Sequence, residues 1–198
     1  MARTIAKDYG DKCAHIQKVA AQVFATQGYG RASMAQVASA CGISKANIYH
    51  YYDSKDAILF DVLDTYLSAL RDRLAALPLA EGSAEDALHL ITREMLLAYQ
   101  GMDHEHRIQT EGLPLLGAAQ QEVLKGYQRD MVQQLSAVLA QVAPEVFRKD
   151  KARLRATTMS VFGMLNWFYK WNGSADAKAR EDYAALVAQM TISGVRGL

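Results

Sequence analysis

Residues 34–56 read MAQVASACGISKANIYHYYDSKD, and this stretch determines how the first third of the chain folds. Ser33 is a natural N-cap for a short helix over 34–40. Gly42 stands where a helix end needs a left-handed residue, and Ser44 caps a third helix from Lys45 to about Tyr51. Two short helices around a glycine turn are typical of a helix-turn-helix, whose second helix enters the major groove of DNA.

The segments on either side of this stretch also have helical patterns. Apolar residues from Ile16 to Phe24 recur at i, i+3, i+4, i+7 and i+8, which predicts a first helix from about Tyr9 to Gln27. Ser54 caps a long fourth helix. Strand signals are almost absent, so we expect an all-α protein of about nine helices, the later ones over 84–100 (after a Ser83/Asp86 capping pair), 101–113, 118–142 (ended by Pro144), 149–171 and 176–195.

Composition narrows the class of protein. The chain has 198 residues, of which 51% are hydrophobic and 22% charged, as in a folded globular protein. No apolar run is long enough to span a bilayer and no secretory signal is evident, so we expect a cytoplasmic protein without a membrane partner. Residues 1–55 hold seven Lys/Arg against three acidic residues, a net charge of +4, which makes this end the candidate for phosphate contact.

Metal and disulfide chemistry is not expected. Cys13 and Cys41 have neither a CxxC spacing nor a Cys/His ligand pattern, and we interpret both as small buried residues. Alternating residues on a helix point about 200° apart, so His104 and His106 cannot easily share an ion. We interpret the segment from His104 to His106 as a solvated polar stretch.

The segment from Gly28 to Phe60 resembles the TetR/AcrR family of transcriptional regulators. The resemblance rests on the Gly-Tyr turn, the helix-turn-helix, the run Tyr49-His-Tyr-Tyr52 and the Ser54-Lys-Asp start of the fourth helix, all in contiguous order. It implies a three-helix DNA-binding domain over 1–53 and a helical bundle over 54–198 for effector binding and dimerisation.

The resemblance also implies which side chains contact DNA. The start of the third helix can approach base edges, and Tyr49, His50 and Lys55 hold positions of phosphate contacts in the family motif. For His50 a solvated surface role stays open, and we assign Tyr52 to the core. The predicted DNA-binding residues are Ser33, Met34, Ser44, Lys45, Ala46, Asn47, Tyr49, His50 and Lys55.

One recognition helix reads only a few base pairs, so such modules act as two-fold dimers on pseudo-palindromic operators. The helix from Met159 to Trp171 is apolar nearly all round and therefore needs burial on two faces. We expect one face to pack against the partner subunit together with the last helix. The predicted interface residues are Phe168, Trp171, Tyr183, Leu186, Val187 and Met190.

The run from Gly163 to Trp171 resembles the corresponding helix of TetR-type regulators that sense acyl-CoA thioesters. Asn166 could hydrogen-bond a thioester or a pantetheine amide. The cations near the start of the same helix, for which a solvated face is the alternative, are candidates for CoA phosphates: Arg148, Lys149, Lys151, Arg153 and Arg155. The alternative is that the aromatic residues of this run form only the core of the dimer interface. The predicted effector-binding residues are Arg93, Met95, Tyr99, Arg107, Leu116, Tyr127, Phe162, Asn166 and Trp167.

Together these patterns predict a dimeric one-component repressor that an effector, here an acyl-CoA, releases from its operator, with no cofactor. A regulator that senses a free lipophilic or aromatic compound is the alternative, and an effector-independent DNA-binding protein is another. Enzyme classes with a GxxxxGK[ST], GxSxG or HExxH motif are excluded, because the sequence contains none of these motifs.

Overall fold

The structure, a computed structural model, describes residues 2–197 and the side chains of residues 9–197. Within that part of the chain every regular element is helical, which confirms the all-α prediction. No described helix has the length and apolarity needed to cross a membrane. The helices are α1 Ala2–Gln27, α2 Met34–Ala40, α3 Lys45–Ile48, α4 Lys55–Ala75, α5 Ala84–Ala98, α6 Asp103–Gly112, a 3-10 turn Leu113–Leu115, α7 Ala118–Val142, α8 Pro144–Phe147, α9 Lys151–Asn172 and α10 Ala177–Val195.

The chain divides into two compact units. The first comprises the residues up to Leu67 together with His104–Leu124, and the second comprises Ser68–Asp103 together with the residues from Lys125 onward. Helices α4 and α7 each continue from one unit into the other. The division into a DNA-binding domain over 1–53 and an effector domain over 54–198 is a statement about function, and it stays a prediction.

The turn between α2 and α3 is a Schellman motif. Gly42 has φ +68°, a left-handed conformation that other residues adopt only with strain. The Ile43 N–H donates to the Ala38 carbonyl over 3.0 Å, and the Gly42 N–H donates to the Ser39 carbonyl over 3.1 Å. These two bonds satisfy carbonyls that the helix end would leave open, so α2 stops at a defined residue and α3 starts in a fixed direction.

The caps of α2 and α3 follow the sequence pattern. Ser33 Oγ accepts the Gln36 N–H, and the Gln36 side chain accepts the Ser33 N–H, which completes a capping box. Ser44 Oγ accepts the Asn47 N–H at the start of α3. Each cap satisfies an N–H that would otherwise lack a partner in the first helical turn.

The core of the first unit lies among α1, α2, α3 and the first half of α4. Phe24, Val37, Ile48 and Leu59 are fully buried, one from each of these helices. Helix α6 packs closely against α4, because a Cβ added to Gly112 would come within 3.1 Å of both methyl groups of Leu59. A side chain at position 112 would therefore require Leu59 to shift by a few tenths of an ångström.

The second unit is built around α5 and α10. Leu88, Ile91 and Met95 on α5 and Ala184 and Ala188 on α10 are buried. The small alanine side chains allow the two helix backbones to approach each other. Thr92 Oγ1 donates to carbonyls of its own helix and lies 3.3 Å from the Ala184 carbonyl of α10.

Several local predictions were wrong. Helix α3 ends at Ile48, whereas the prediction extended it to about Tyr51. Residues 49–51 form a hydrogen-bonded turn instead. Helix α7 ends at Val142 as predicted, but Pro144 begins a further short helix, α8, that the sequence analysis did not include; proline lacks the N–H that the first helical position does not need. Cys13 and Cys41 are half-buried free thiols.

His106 is also a correction, because it is buried and therefore not part of a solvated stretch. The Tyr66 hydroxyl lies 3.0 Å from His106 Nδ1 within the first unit. This partner lies 40 residues away along the chain, so no local pattern could have revealed it.

Candidate functional site

The outer face of α3 presents most of the predicted DNA-binding side chains to solvent. Ile48 is fully buried and fixes the rotation of the helix. The opposite side is therefore free to enter a groove. The exposed residues on and beside this face are Ser44, Lys45, Ala46, Asn47, Tyr49 and His50.

The aromatic run after α3 divides into solvent-facing and packed residues. Tyr51 is half-buried and stacks on Tyr9, with ring centroids 5.1 Å apart. Tyr52 is buried, and its hydroxyl donates to Asp61 and accepts from Gln17 Nε2. Burial raises the pKa of the Tyr52 hydroxyl, and its bond to Asp61 raises it further. The assignment of Tyr52 to the core is confirmed.

Lys55 is tied to the turn that follows α1. Its ammonium donates to the carbonyls of Tyr29 over 2.8 Å and Ala32 over 3.0 Å, and it lies 4.3 Å above the Tyr29 ring. Two of its three N–H donors are thus used inside the first unit, which leaves one for a phosphate. A role for Lys55 at DNA stays a prediction.

Ser33 and Met34 lie at the start of α2 with different exposure. Ser33 is exposed, but its hydroxyl serves the capping box. The Met34 side chain is buried, so contact with DNA at this residue would have to use the backbone N–H.

A small cavity beside α3 brings in residues that sequence reasoning missed. Its volume is about 100 Å³, and it lies between α1 and the helix-turn-helix. Lys12 and His15 line it from α1 and Asn47 lines it from α3, with Ile16, Cys41, Ile43 and Tyr51 completing the walls. Tyr9, Lys12 and His15 follow one another at helical spacing, and this pattern could have indicated a second basic face.

The predicted effector-binding residues fall into both units. Arg107 and Leu116 belong to the first unit, and the other seven belong to the second. Arg107 is exposed and lies 3.6 Å from Glu111. Leu116 is buried.

Within the second unit the structure brings together Tyr99 and Asn166. The Tyr99 hydroxyl donates to Asn166 Oδ1 over 2.8 Å, and the ring is buried. Burial raises the pKa of Tyr99, so the hydroxyl stays protonated and acts as a donor. Met95 and Phe162 are buried side chains of the same helices, α5 and α9.

The other predicted effector residues of the second unit lie apart from this pair. Arg93 is exposed and pairs with Glu181 and Glu94 at 2.6 and 2.7 Å. Tyr127 is half-buried, with the Arg71 guanidinium 4.9 Å from its ring centroid. The Trp167 side chain is 62% exposed. The basic residues from Arg148 to Arg155 are all exposed, and Arg148 and Arg153 pair with Glu145 and Asp150.

Helices α9 and α10 carry several large apolar side chains that are exposed to solvent. Trp171 is 56% exposed, Leu186 52% and Met190 56%, whereas Phe168 and Val187 are buried inside the subunit. Tyr183 is half-buried and stacks on Phe168 at 4.8 Å. We call the exposed set, which is Met159, Trp167, Trp171, Leu186 and Met190, the α9–α10 face. Exposed apolar groups gathered on two adjacent helices are typical of a surface that another protein covers.

No metal centre accompanies these features. Across the part of the chain whose side chains are described, no group of three His, Cys, Asp or Glu residues could hold an ion. These features make α3 a candidate DNA contact, the α9–α10 face a candidate subunit contact and the Tyr99–Asn166 pair a candidate contact for a small molecule.

Comparison with known proteins gives two family matches. Residues 16–62 match the description "Bacterial regulatory proteins, tetR family", and residues 81–195 match "Tetracyclin repressor-like, C-terminal domain". The two matches leave residues 1–15, 63–80 and 196–198 unmatched, and the second of these segments includes the last part of α4.

Individual proteins show the same similarity. The Mycobacterium tuberculosis regulator MftR, named for mycofactocin biosynthesis, is 33% identical over 94 residues, which is 48% of this chain and 45% of that protein. The chain thus matches less than half the length of this relative. A TetR-family regulator from Bordetella parapertussis has a TM-score of 0.85 and 28% identity, with 94% of this chain and 96% of that chain covered. AibR, solved with isovaleryl coenzyme A and operator DNA, has a TM-score of 0.72 and 20% identity, covering 90% and 97% of the two chains.

Proposed function

The chain belongs to the TetR family of bacterial regulatory proteins and is a transcriptional regulator, and from this premise we propose that it is a dimeric repressor released from its operator by an acyl-CoA thioester. The proposal assigns it no catalytic activity and no cofactor. Such a protein acts in the cytoplasm, where operator DNA lies.

The observation that carries the DNA-binding part is the exposed face of α3. Asn47 presents an amide, Lys45 a cation, and Ser44 and Tyr49 hydroxyl groups, all on a helix fixed by buried Ile48. Amides read adenine edges and cations pair with phosphates or guanine. This combination supports sequence-specific contact in a major groove.

Dimerisation is supported by the α9–α10 face. A two-fold dimer places two copies of α3 on successive turns of DNA and doubles the number of base pairs that are read. Trp167, Trp171 and Met190 supply the apolar and aromatic groups that are enriched at protein interfaces. We assign these residues to the dimer contact.

An acyl-CoA effector is supported by the polar pair of Tyr99 and Asn166 in an apolar interior. A buried hydroxyl and amide can turn to a thioester carbonyl or a pantetheine amide, while Met95 and Phe162 surround an acyl chain. AibR, with the same fold, was solved with a short acyl-CoA and operator DNA.

A free lipophilic or aromatic compound is the second candidate effector. Arg93 and Arg107 already have acidic neighbours in Glu181, Glu94 and Glu111. A cation that is neutralised in this way is less available for a CoA phosphate. This pairing favours a smaller effector without a nucleotide.

Release follows if the effector binds more tightly to a dimer whose recognition helices are wrongly spaced for the operator. Helix α4 starts beside the helix-turn-helix and continues into the second unit, so we assign it the transmitting role. A difference of a few kcal/mol in affinity between the two states suffices to move the population.

The test begins with selection of an operator from random duplex DNA by the purified protein. Gel shifts then measure release by a panel of CoA thioesters and the corresponding free acids. Release by thioesters alone supports the first effector class, and release by free acids supports the second. Selection of no sequence, or binding without dependence on sequence, would contradict the repressor function itself.

A further inference from the structure

Arg180 is a buried cation without an acidic partner. It lies in the first turn of α10 and is 1% exposed. Its Nε donates to the Ala175 carbonyl over 3.2 Å and its Nη1 to the Leu96 carbonyl over 3.4 Å. The guanidinium carbon lies 5.5 Å from the centroid of the Phe168 ring. Among the residues that the structure describes, no carboxylate forms an ion pair with Arg180.

These contacts do not neutralise the charge. A guanidinium has five N–H donors, and only two carbonyls accept from it here, both at long distances. Leu96 is near the end of α5, so its carbonyl carries part of the negative end of the helix dipole. That partial charge and one ring face are weaker than the carboxylate or phosphate that a buried cation ordinarily requires.

The other arginines of the second unit show how unusual this is. Six of them pair with carboxylates, and these six are exposed or half-buried: Arg71, Arg73, Arg93, Arg148, Arg153 and Arg196. Water already screens such exposed pairs. The arginine most removed from water is therefore one that has no acidic partner.

The surroundings of Arg180 suit an anion with an apolar body. The last turn of α5 supplies the Leu96 carbonyl, and the C-cap of the same helix is Tyr99, whose hydroxyl bonds to Asn166. Phe168 lies beside the guanidinium. A cation, a hydroxyl–amide pair and an aromatic ring thus belong to the same three helices, α5, α9 and α10.

We propose that Arg180 binds an oxyanion of the effector, either a carboxylate or a phosphate, while the apolar part of the effector lies among α5, α9 and α10. This inference rests on the proposed function, because it requires an effector. It replaces Arg93 and Arg107, which have acidic neighbours, as the cation that selects the ligand. An uncharged analogue of the effector is then a poor ligand.

The site is also placed to influence the rest of the chain. The Leu96 carbonyl that Arg180 contacts is followed by the end of α5, and the chain passes into the first unit between Asp103 and His104. An anion that draws the guanidinium away from Leu96 would loosen the end of α5. Leu96 lies fewer than ten residues before His104, where the chain enters the first unit, so the movement would begin close to that point.

Asp103 is the alternative partner within the chain. Its carboxylate lies beside Gly173 at the end of α9, and its Oδ1 is buried without a hydrogen-bond partner. A shift of either side chain could form an internal ion pair with Arg180. The test must therefore separate an external anion from Asp103.

The experiment compares wild type, Arg180→Met, Asp103→Asn, the double variant and the exposed control Arg93→Met. Thermal unfolding is followed with phenylacetate, phenylacetyl-CoA, uncharged phenylacetamide and inorganic phosphate, against sodium chloride of equal ionic strength. Ligand binding to the native state raises Tm in a concentration-dependent way. We expect anions to raise the Tm of wild type and Arg93→Met, and phenylacetamide to have little effect.

Arg180→Met should keep a Tm close to that of wild type, because methionine fills the space without a buried charge. Its affinity for the active anion should fall roughly 10- to 100-fold, the usual effect of losing a charge-assisted hydrogen bond. Stabilisation by phenylacetate identifies a carboxylate as the source of the anion. Stabilisation by phenylacetyl-CoA or inorganic phosphate without phenylacetate identifies a phosphate.

Three results would overturn the role of Arg180. One is equal stabilisation of wild type and Arg180→Met, and another is no response of wild type to any anion. The third is a loss of Tm shared by Arg180→Met and Asp103→Asn that does not increase in the double variant, which indicates an internal pair. Each leaves the proposed function standing if an effector still releases the operator in gel shifts.

Discussion

At the scale of single residues, neighbouring side chains have opposite roles. Tyr49 and His50 face solvent, while Tyr52, two positions later, is buried and bonded to Asp61. The division follows from the hydrogen-bonded turn after buried Ile48, in which the backbone N–H groups of Tyr51 and Tyr52 donate to the Ile48 carbonyl and Tyr52 returns to the buried side. Substitutions one residue apart should therefore separate DNA binding from stability.

Lys45→Ala and Tyr49→Phe should each weaken operator binding without lowering Tm. Both side chains are exposed, so their loss removes contacts with DNA and none with the core. We expect about 1–3 kcal/mol, and a reduction of about 1 in the salt slope for Lys45→Ala if it contacts phosphate. Gel shifts at several salt concentrations measure both quantities. Lys149→Ala, an exposed lysine of the second unit, serves as control, and an equal loss there would argue against the site.

Lys12→Ala should weaken operator binding by a similar phosphate contribution. Lys12 lines the cavity that Asn47 also lines, so it lies beside the recognition helix. The loss should be uniform across operator variants, because a phosphate contact carries no sequence information. Lys18→Ala, another exposed lysine of α1, is the matched control. If both variants bind as wild type, α1 does not belong to the interface.

At the scale of elements, caps and periodicity made much of the fold predictable. Helices α2 and α7 have the bounds that the pattern predicts, and Ser33, Ser44, Ser54 and Ser83 all cap the helices assigned to them. These features depend on residues within four positions of each other. Local chemistry is therefore sufficient to find them.

The errors at His106 and Arg180 came from contacts between residues distant in sequence. His106 is buried because Tyr66, on another helix, bonds to its ring. The isolation of Arg180 from acidic groups depends on how α5, α9 and α10 come together, and its acidic sequence neighbours Glu181 and Asp182 do not reveal it. For the candidate site, the motif located the DNA-binding face, whereas the buried cation required the packed structure.

The capping box of α5 gives a prediction about stability and pH. Ser83→Ala removes the acceptor for the Asp86 N–H and should cost about 1 kcal/mol in unfolding free energy. Denaturant unfolding of this variant and of Ser174→Ala, which changes an exposed loop serine, measures the difference. If Ser83→Ala and Ser174→Ala lower the free energy of unfolding by the same amount, Ser83 does not act as a cap.

Asp86 should make the stability of this helix depend on acid. The bonds from Ser83 lower the pKa of Asp86 below its ordinary value of 3.8. A lowered pKa in the folded state stabilises the protein above pH 3.8, and this contribution is lost as the pH falls through the folded pKa. Asp86→Asn should therefore lose less stability than wild type between pH 5 and pH 3, roughly the range in which a carboxylate titrates. If the stability of wild type and that of Asp86→Asn change in parallel over this pH range, protonation of Asp86 does not affect stability.

At the scale of the whole molecule, the proposed repression depends on joining two subunits. The α9–α10 face leaves two tryptophans and three other apolar side chains in solvent, more than a monomer ordinarily exposes in one place. The predicted DNA-binding residues lie in the first unit, so we expect that mutations can alter assembly and DNA contact independently.

Met190→Glu should convert the dimer to monomers and abolish tight operator binding. Two-fold symmetry brings like charges together when a charge is placed at the interface, and we expect a dissociation constant raised about 100-fold. Sedimentation measures the association and gel shifts measure the affinity. Val123→Glu changes an exposed apolar residue of α7 in the first unit and should leave the dimer intact. A dimer that persists in Met190→Glu would place the interface elsewhere.

The contact of Gly112 with Leu59 sets a rule for how related sequences vary. A methyl group at 112 would lie 3.1 Å from both branches of Leu59, so an alanine there requires either a shift of Leu59 by a few tenths of an ångström or a smaller side chain at 59. The two positions should thus change together among descendants of this gene. A random library of second-site revertants of Gly112→Ala should be enriched in substitutions at 59, which makes the pair a genetic marker for the packing of α4 against α6.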